Sequence, residues 1–253
     1  MITVRPEDAI HKAYLIRLLI EIVDTPTMSQ NLYFKGGTCA SMMGILDRFS
    51  VDLDFDLKKG ADEKELRTVF HSIFSKLGFT IKQESQKALE FFVKYPNKEH
   101  ERNTIKVDAL NLFVTSNKYA PCFLSEIDRT LICQTKETMF ANKLVAIHDR
   151  YQRNGSIAGR DVYDIHHFFI LGLTYDSHVI KERTGKSVES YLVDLEKFIN
   201  ETITPTIIDQ DLNTLLPNDV FQKIRKTLKQ ETLVFIQSEI EKIKNNHPAS
   251  SGL

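Results

Sequence analysis

Seven consecutive residues, Val51-Asp52-Leu53-Asp54-Phe55-Asp56-Leu57, alternate an apolar side chain with a carboxylate. Period-2 alternation marks a strand with one buried face, and few other conformations tolerate it. Side chains two apart on a strand project from the same side. The pattern therefore predicts Asp52, Asp54 and Asp56 together on one face, with Val51, Leu53, Phe55 and Leu57 on the other. Like charges held side by side repel and call for a counter-charge. A hard divalent cation supplies one, and magnesium takes one or two carboxylates plus phosphate oxygens. Taken alone, Asp-x-Asp is weak evidence and is better explained as an exposed edge with acids spaced by chance.

Two flanking segments give the acidic strand company. Upstream, Leu32-Tyr33-Phe34 reads as a short strand that stops at Gly36-Gly37, and Thr38 opens a helix through Ala40, Met43 and Leu46. Glycines between a strand and a helix let the backbone approach a phosphate, and the helix start offers unpaired N–H groups. The bland alternative is a plain tight turn. Downstream, Ile105-Lys106-Val107-Asp108-Ala109-Leu110 places one acid in an apolar strand. Asp108 is a candidate third metal ligand; a hydrogen-bonded strand-end aspartate is the alternative.

The rest of the chain sorts into strands first and helices afterwards. Pro6-Glu7-Asp8 begins a helix that runs to about Asp24, with Ile10, Tyr14, Arg17, Leu18, Glu21 and Ile22 in its pattern. A helix over residues 63–77 ends at Gly78. Strands follow at 79–83, 89–95 and 105–113, with a turn at Pro96-Asn97. Helices are predicted at 137–153, 160–171, 187–201 and 219–244, and residues 247–253 as a frayed tail. This order indicates an α+β chain: a sheet-based core with an N-terminal helix over 1–134, and a helical domain over 135–246 that completes the active site.

Bulk properties set limits. With 253 residues, 42% of them hydrophobic, the chain can bury a sizeable core. A formal net charge of −1 provides no overall basic field for nucleic acid, so such a partner needs a local patch. The Lys- and Arg-rich stretch 221–244 reads as the solvated face of an amphipathic helix. Cys39, Cys122 and Cys133 lack metal-binding or disulfide spacing, which suggests reduced thiols. With neither a signal-peptide pattern nor an apolar run of roughly 20 residues, the expectation is a cytoplasmic protein with no membrane partner.

A second constellation lies on the helical side. Lys143 and Arg150 share one helix face, with Ile147 between them, and Asp161 and Asp164 share a face of the next helix. Lysine as a point charge and arginine as a fork suit a triphosphate. An inter-helix salt bridge of Lys143 or Arg150 with Asp161 is the structural alternative and does not exclude function. His166-His167 lack a further ligand at zinc spacing and read as structural.

Together these segments resemble the AbiEii/AbiGii toxin-type (MenT-like) nucleotidyltransferases. Phe34-Lys35-Gly36-Gly37-Thr38 and Arg48-Phe49-Ser50-Val51-Asp52-Leu53-Asp54-Phe55 look like the family's first motif. Asn142-Lys143-Leu144-Val145-Ala146, Arg150 and Arg160-Asp161-Val162-Tyr163-Asp164 resemble its later motifs. The resemblance spans residues 30 to 170 and implies a polymerase-β-like nucleotidyltransferase fold followed by a helical half. It implies two-ion, magnesium-dependent transfer of a nucleoside monophosphate from an NTP to an acceptor hydroxyl, with release of pyrophosphate. It also implies a toxin of a type IV toxin–antitoxin or abortive-infection system, acting on tRNA 3′ ends and paired with an antitoxin.

By the same similarity Asp52 and Asp54 hold metal, joined by Asp108, which matches a less constant feature. Gly36, Gly37, Thr38, Arg48, Ser50, Lys143 and Arg150 seat the nucleotide. Asp52, Asp54, Lys143 and Asp161 form the catalytic set, with Asp161 as a base or a positioning group. Many members carry Gly-Ser where this chain has Gly-Gly-Thr, so Thr38 takes the hydroxyl role.

Rival readings remain. The acceptor is alternatively a protein side chain or small molecule, or the chain is a catalytically silent nucleotide-binding module. A haloacid-dehalogenase phosphatase also begins from strand-borne Asp-x-Asp. It wants a small or hydroxyl residue after the second acid, where this chain has Phe55-Asp56-Leu57, and it leaves Gly36-Gly37 without a role.

Overall fold

The computed structural model describes residues 5–98 and 101–246. The first four residues and the tail at 247–253, expected to fray, lie outside the described residues. The chain divides into a sheet unit, up to Phe113 and again over Lys118–Thr135, and a helical unit, Val114–Asn117 and from Lys136 onward.

In the sheet unit, seven strands join in the order β3-β4-β5-β2-β1-β7-β6. Their ranges are β1 Leu32–Lys35, β2 Leu53–Leu57, β3 Thr80–Glu84, β4 Leu89–Lys94, β5 Thr104–Leu110, β6 Tyr119–Leu124 and β7 Arg129–Gln134. The acidic strand β2 is central, antiparallel to β1 and parallel to β5. Its apolar residues Leu53 and Phe55, with Phe34, Phe91, Val93, Ile105 and Val107 of the neighbouring strands, are almost fully buried. Two helices accompany that core, α1 (Ala9–Asp24) and α4 (Glu63–Lys76). Phe70 and Phe74 of α4 place their rings 5.1 and 5.3 Å from Phe91. Each such ring is worth about 1.5–3 kcal/mol of burial.

Local chemistry explains where α4 starts. Asp62 caps it by accepting from the Lys64 and Glu65 amides, and acids in the first turn suit its dipole. Along α1 the buried stripe is His11, Leu15, Leu18, Leu19 and Ile22. This shifts the expected face: Ile10 is exposed, and a histidine occupies a core position at the correct i, i+4, i+7 spacing.

Strand β2 begins at Leu53, two residues later than the alternation suggests, so Val51 and Asp52 belong to the approach segment. The hairpin β6–β7 was not foreseen. Strand β6 carries Pro121 and mostly exposed residues, features tolerated at the edge of a sheet, where it sits. Asp128 turns the hairpin with φ 53°, a left-handed conformation that aspartate accepts more readily than most residues.

The helical unit contains α5 (Lys136–Asn154), α6 (Gly159–Ile170), α7 (Ser177–Thr184), α8 (Val188–Thr202), α9 (Pro205–Leu212), α10 (Asn218–Ile224) and α11 (Leu228–Asn246). Two short helices precede these in the sheet unit, α2 (Pro26–Ser29) and α3 (Gly36–Met42). The single helix expected over 219–244 is broken at residues 225–227, where the Arg225 guanidinium grips Asp209 of α9. Helices α7 and α9 were missed; each is only eight residues long and starts at a side-chain cap, Asp176 and Thr204 respectively. The linker residues Thr115 and Ser116 donate their amides to Glu182 of α7, both at 2.7 Å, which ties that linker to the helical unit. Among the described residues no helix is long and apolar enough to cross a membrane.

Candidate active site

The Gly-Gly turn closes directly onto the acidic strand. Gly36 has φ +79°, and a Cβ built there would lie 2.9 Å from both Cβ and Cγ of Asp54. Only glycine permits that approach. A Cβ on Gly37 would sit 2.8 Å from Ser50 Oγ and 3.0 Å from Arg48 Nη2. Thr38 Oγ1 donates to the Asp52 carbonyl at 2.5 Å, tying the turn to the approach segment. Helix α3 starts at Gly36, not Thr38. Gly36, Gly37, Thr38, Arg48, Ser50, Asp52 and Asp54 thus form one neighbourhood, although they come from three segments of sequence.

Asp108 lies opposite Asp54 in the parallel β2–β5 ladder. Its Oδ2 accepts from Lys106 at 2.8 Å, while its Oδ1 is buried without a hydrogen-bond partner. Lys106 also reaches Glu90 at 2.8 Å. Burial disfavours the Lys106 charge, but the hydrogen bonds it donates to Asp108 and Glu90 outweigh that and raise its pKa. Among the described residues no group of three or more carboxylate, imidazole or thiol side chains converges to hold a metal alone. A register pair of carboxylates with an unsatisfied buried oxygen still fits magnesium, which draws its remaining ligands from phosphate and water.

Asp56 does not share the role of Asp54. It is buried, ion-paired through Oδ1 to Lys35, and accepts through Oδ2 from Tyr119 at 2.8 Å and Gln134 at 2.7 Å. This buried network went unnoticed in the sequence because Tyr119 and Gln134 lie in the unforeseen hairpin.

His11 was missed as well. Its Nε2 is 2.9 Å from the Val51 carbonyl and its Nδ1 is 2.8 Å from the Tyr95 hydroxyl. Burial lowers the His11 pKa to about 4, so the ring is neutral near pH 7. A neutral ring then donates from Nε2 to the Val51 carbonyl, while its Nδ1 competes for the single Tyr95 hydroxyl proton with the Arg102 carbonyl, to which that hydroxyl donates at 2.7 Å. Burial raises the Tyr95 pKa to about 12, so that hydroxyl keeps its proton. A core histidine therefore anchors the residue immediately before Asp52.

The second cluster assembles within the helical unit. Lys143 Nζ lies 2.6 Å from Asp164 Oδ2 and 3.6 Å from Asp161 Oδ1, and Arg150 Nε is 3.0 Å from Asp161 Oδ2. Both aspartates are almost completely buried. The salt-bridge alternative is thus present, and Asp161 is shared between the two cations. Gly159 lets α6 begin against α9: a Cβ there would lie 2.8 Å from the Ile207 carbonyl oxygen. His166 pairs with Glu231 at 2.7 Å, and His167 stacks on Tyr163.

A mixed sheet that places paired carboxylates behind a Gly-Gly turn, in a chain with a Lys–Asp cluster on later helices, has the features expected of a nucleotidyltransferase. The family model described as "Nucleotidyl transferase AbiEii toxin, Type IV TA system" matches residues 17–235, and the chain belongs to that family. It is a toxin-type nucleotidyltransferase, and membership implies an NTP substrate and an antitoxin partner.

Solved structures agree on the fold. A putative nucleotidyltransferase from Helicobacter pylori aligns with TM-score 0.60 at 19% identity, covering 96% of this chain and 99% of that one. JHP933 from Helicobacter pylori aligns with TM-score 0.56 at 18% identity, over 99% of this chain and 100% of the other. MenT4, a nucleotidyltransferase toxin from Mycobacterium tuberculosis H37Rv, gives TM-score 0.55 at 16% identity, over 96% and 91% respectively. No curated protein matches the chain in sequence.

Proposed function

We propose that this toxin transfers a nucleoside monophosphate from an NTP to the 3′-terminal hydroxyl of a tRNA in the cytoplasm, with magnesium as its cofactor. The observation that carries the reading is the contact geometry of Gly36 and Gly37 with Asp54, Ser50 and Arg48. It puts a side-chain-free backbone, two polar groups and a carboxylate in one place, as a metal–triphosphate complex requires.

In this reading Asp52 and Asp54 hold the metal, and the unsatisfied Oδ1 supports Asp108 as a third ligand. When bound, magnesium neutralises the triphosphate and lowers the pKa of the attacking hydroxyl. Gly36 and Gly37 admit the phosphates, with Thr38, Arg48 and Ser50 around them. The acceptor hydroxyl oxygen forms a bond to the α-phosphorus and gives up its proton to solvent, while the bond to the bridging oxygen of the β-phosphate breaks and pyrophosphate leaves with that electron pair. By the family resemblance, Lys143 and Arg150 of the helical unit are the candidate phosphate-binding cations. Asp161, bonded to both cations, acts as a positioning group. Catalysis is then chiefly orientation and charge stabilisation.

The test is incubation of the protein with each radiolabelled NTP, magnesium and total RNA. Label is expected on RNA of tRNA size, and lost with Asp54→Ala or Lys143→Ala. Label on protein alone refutes the acceptor; no label on any fraction refutes the transfer; label that survives Asp54→Ala refutes the site.

A further inference from the structure

The three cysteines, scattered in sequence, meet in the sheet unit. Cys133 on β7 is 1% exposed and pairs with Phe34 of β1 in the parallel ladder. Cys39, fully buried on α3, places its Sγ 3.5 Å from the Phe34 carbonyl oxygen, which sets it against the same strand pair. From the other side, β6 pairs Ala120 with Cys133 and Cys122 with Leu131. Residues 120 and 122 share a strand face, as do 131 and 133, so Cys122 and Cys133 are diagonal neighbours on one face of the hairpin. All three side chains are thiols, and the Cys133 sulfur is within hydrogen-bonding reach of both others.

The three differ in what can reach them. Cys39 and Cys133 are closed off from solvent, whereas Cys122 is half-buried on the outermost strand. Reactivity belongs to the thiolate. The Cys39 contact, helped by Cys122, lowers the Cys133 pKa against the burial that opposes it. Burial, with Cys133 beside it, raises the Cys39 pKa well above the usual range. An accessible thiol next to a buried one inclined to ionise suits a division of labour: one sulfur meets the oxidant and the other captures the product.

We propose that Cys122 is an oxidation site for hydroperoxides and that Cys133 is its resolving thiol, closing a disulfide across the β6–β7 hairpin. The Cys122 sulfur, as thiolate, attacks one oxygen of hydrogen peroxide. The O–O bond breaks, and the departing hydroxide takes up the proton that Cys122 gave to solvent and becomes water. Cys122 is thereby oxidised to the sulfenic acid while the peroxide is reduced. The Cys133 thiolate then attacks the Cys122 sulfur, the S–O bond breaks, and the second hydroxide leaves as water with the Cys133 proton. Strand β6 is the edge of the sheet, so it can draw in as the bond forms. The disulfide spares Cys122 the irreversible higher oxidation states, and in a reducing compartment such a bond is transient and redox-sensing. The chemistry is independent of nucleotide transfer.

The experiment treats the native full chain with equimolar hydrogen peroxide, blocks remaining thiols with N-ethylmaleimide, and maps tryptic peptides by mass spectrometry. Cleavage after Lys and Arg puts the cysteines in three separate peptides, 36–48, 119–129 and 130–136. The expected product joins 119–129 to 130–136, runs as a monomer on a non-reducing gel, and is lost on treatment with dithiothreitol. Cys122→Ser should lose this link and Cys39→Ser should keep it. In Cys133→Ser, dimedone should trap more sulfenic acid at Cys122 than in wild type.

Three results overturn the proposal. One is the absence of any linked pair in peroxide-treated wild type. Another is a link between 36–48 and 130–136 that forms equally in Cys122→Ser, which removes Cys122 as the point of entry. The third is a link found only between molecules. All three are read from wild type or from the variant of the half-buried Cys122, so they hold even if Cys133→Ser fails to fold.

Discussion

Acidifying the protein tests the account of His11 quantitatively. The unfolded chain takes up a proton on this residue near pH 6.5, whereas the folded ring resists until about pH 4, because desolvation outweighs the Val51 carbonyl bond that favours the charged form. The folded-state pKa is depressed, so the contribution of His11 is complete above pH 6.5. It is lost as the pH falls towards 4, and levels off below. The interval from 6.5 to about 4 corresponds to about 3 kcal/mol at roughly 1.4 kcal/mol per pH unit. That is a large share of a typical domain stability of about 5–15 kcal/mol.

Urea unfolding followed by far-ultraviolet circular dichroism between pH 7 and 4 measures it, in wild type and in His11→Asn. The difference isolates His11, because other groups titrating in or near this window, such as His148 and Glu84, are common to both proteins. His148 is lowered by burial. Burial raises the Glu84 pKa, but bonds from Arg67 and His71 outweigh it and leave it low. Wild type should lose about 3 kcal/mol more than the variant across this range. Parallel stability curves for the two proteins would refute the reasoning, since they would mean that the ring is free to protonate in the fold.

Other outcomes follow from the site geometry. Gly36→Ala should leave the fold intact at a backbone cost of about 1–2 kcal/mol, yet reduce nucleotide transfer by about 100-fold or more by displacing Asp54. Transfer near the wild-type rate would remove the close-contact argument. Asp164→Asn leaves Lys143 with Asp161 alone, so the apparent NTP affinity should fall about tenfold, a loss of roughly 1.4 kcal/mol. An unchanged KM would show that Asp164 does not orient the lysine. Gly159→Ala forces a methyl against the Ile207 carbonyl and should lower the urea midpoint by about 1–3 kcal/mol equivalent. A midpoint at the wild-type value would exclude the tight α6–α9 approach.

Much of the sheet was legible because β1 and β4 bury alternate residues, and β2 and β5 depart from that only at the buried Asp56 and Asp108, so burial writes itself into sequence as period 2. The same logic fails at β6, whose edge position leaves side chains exposed and admits Pro121. It fails again at α7 and α9, too short for a helical period to accumulate. In the site, Asp54 and Asp108 were visible as acids in apolar strands, but their pairing depends on a register between strands that are distant in sequence. Asp56 looked like a third member of the acidic face. Only Tyr119 and Gln134, contributed by the missed hairpin, reveal it as a buried ion-pair partner. His11 was hidden for a different reason: a histidine at a core position of an apolar stripe has no distinctive spacing.

The central place of β2 has a consequence for how errors in folding are handled. Sliding that strand by one residue against β1 and β5 would turn Asp54 and Asp56 into the apolar core and move Leu53, Phe55 and Leu57 onto the polar face that carries the carboxylates. Such a slip costs the burial of several large side chains and strands two charges in a dry interior. The residues proposed for chemistry thus also work as a proofreading device. A molecule with the wrong register is both unstable and without its carboxylates in place, so mispairing should yield degradable chains, not toxins with altered activity.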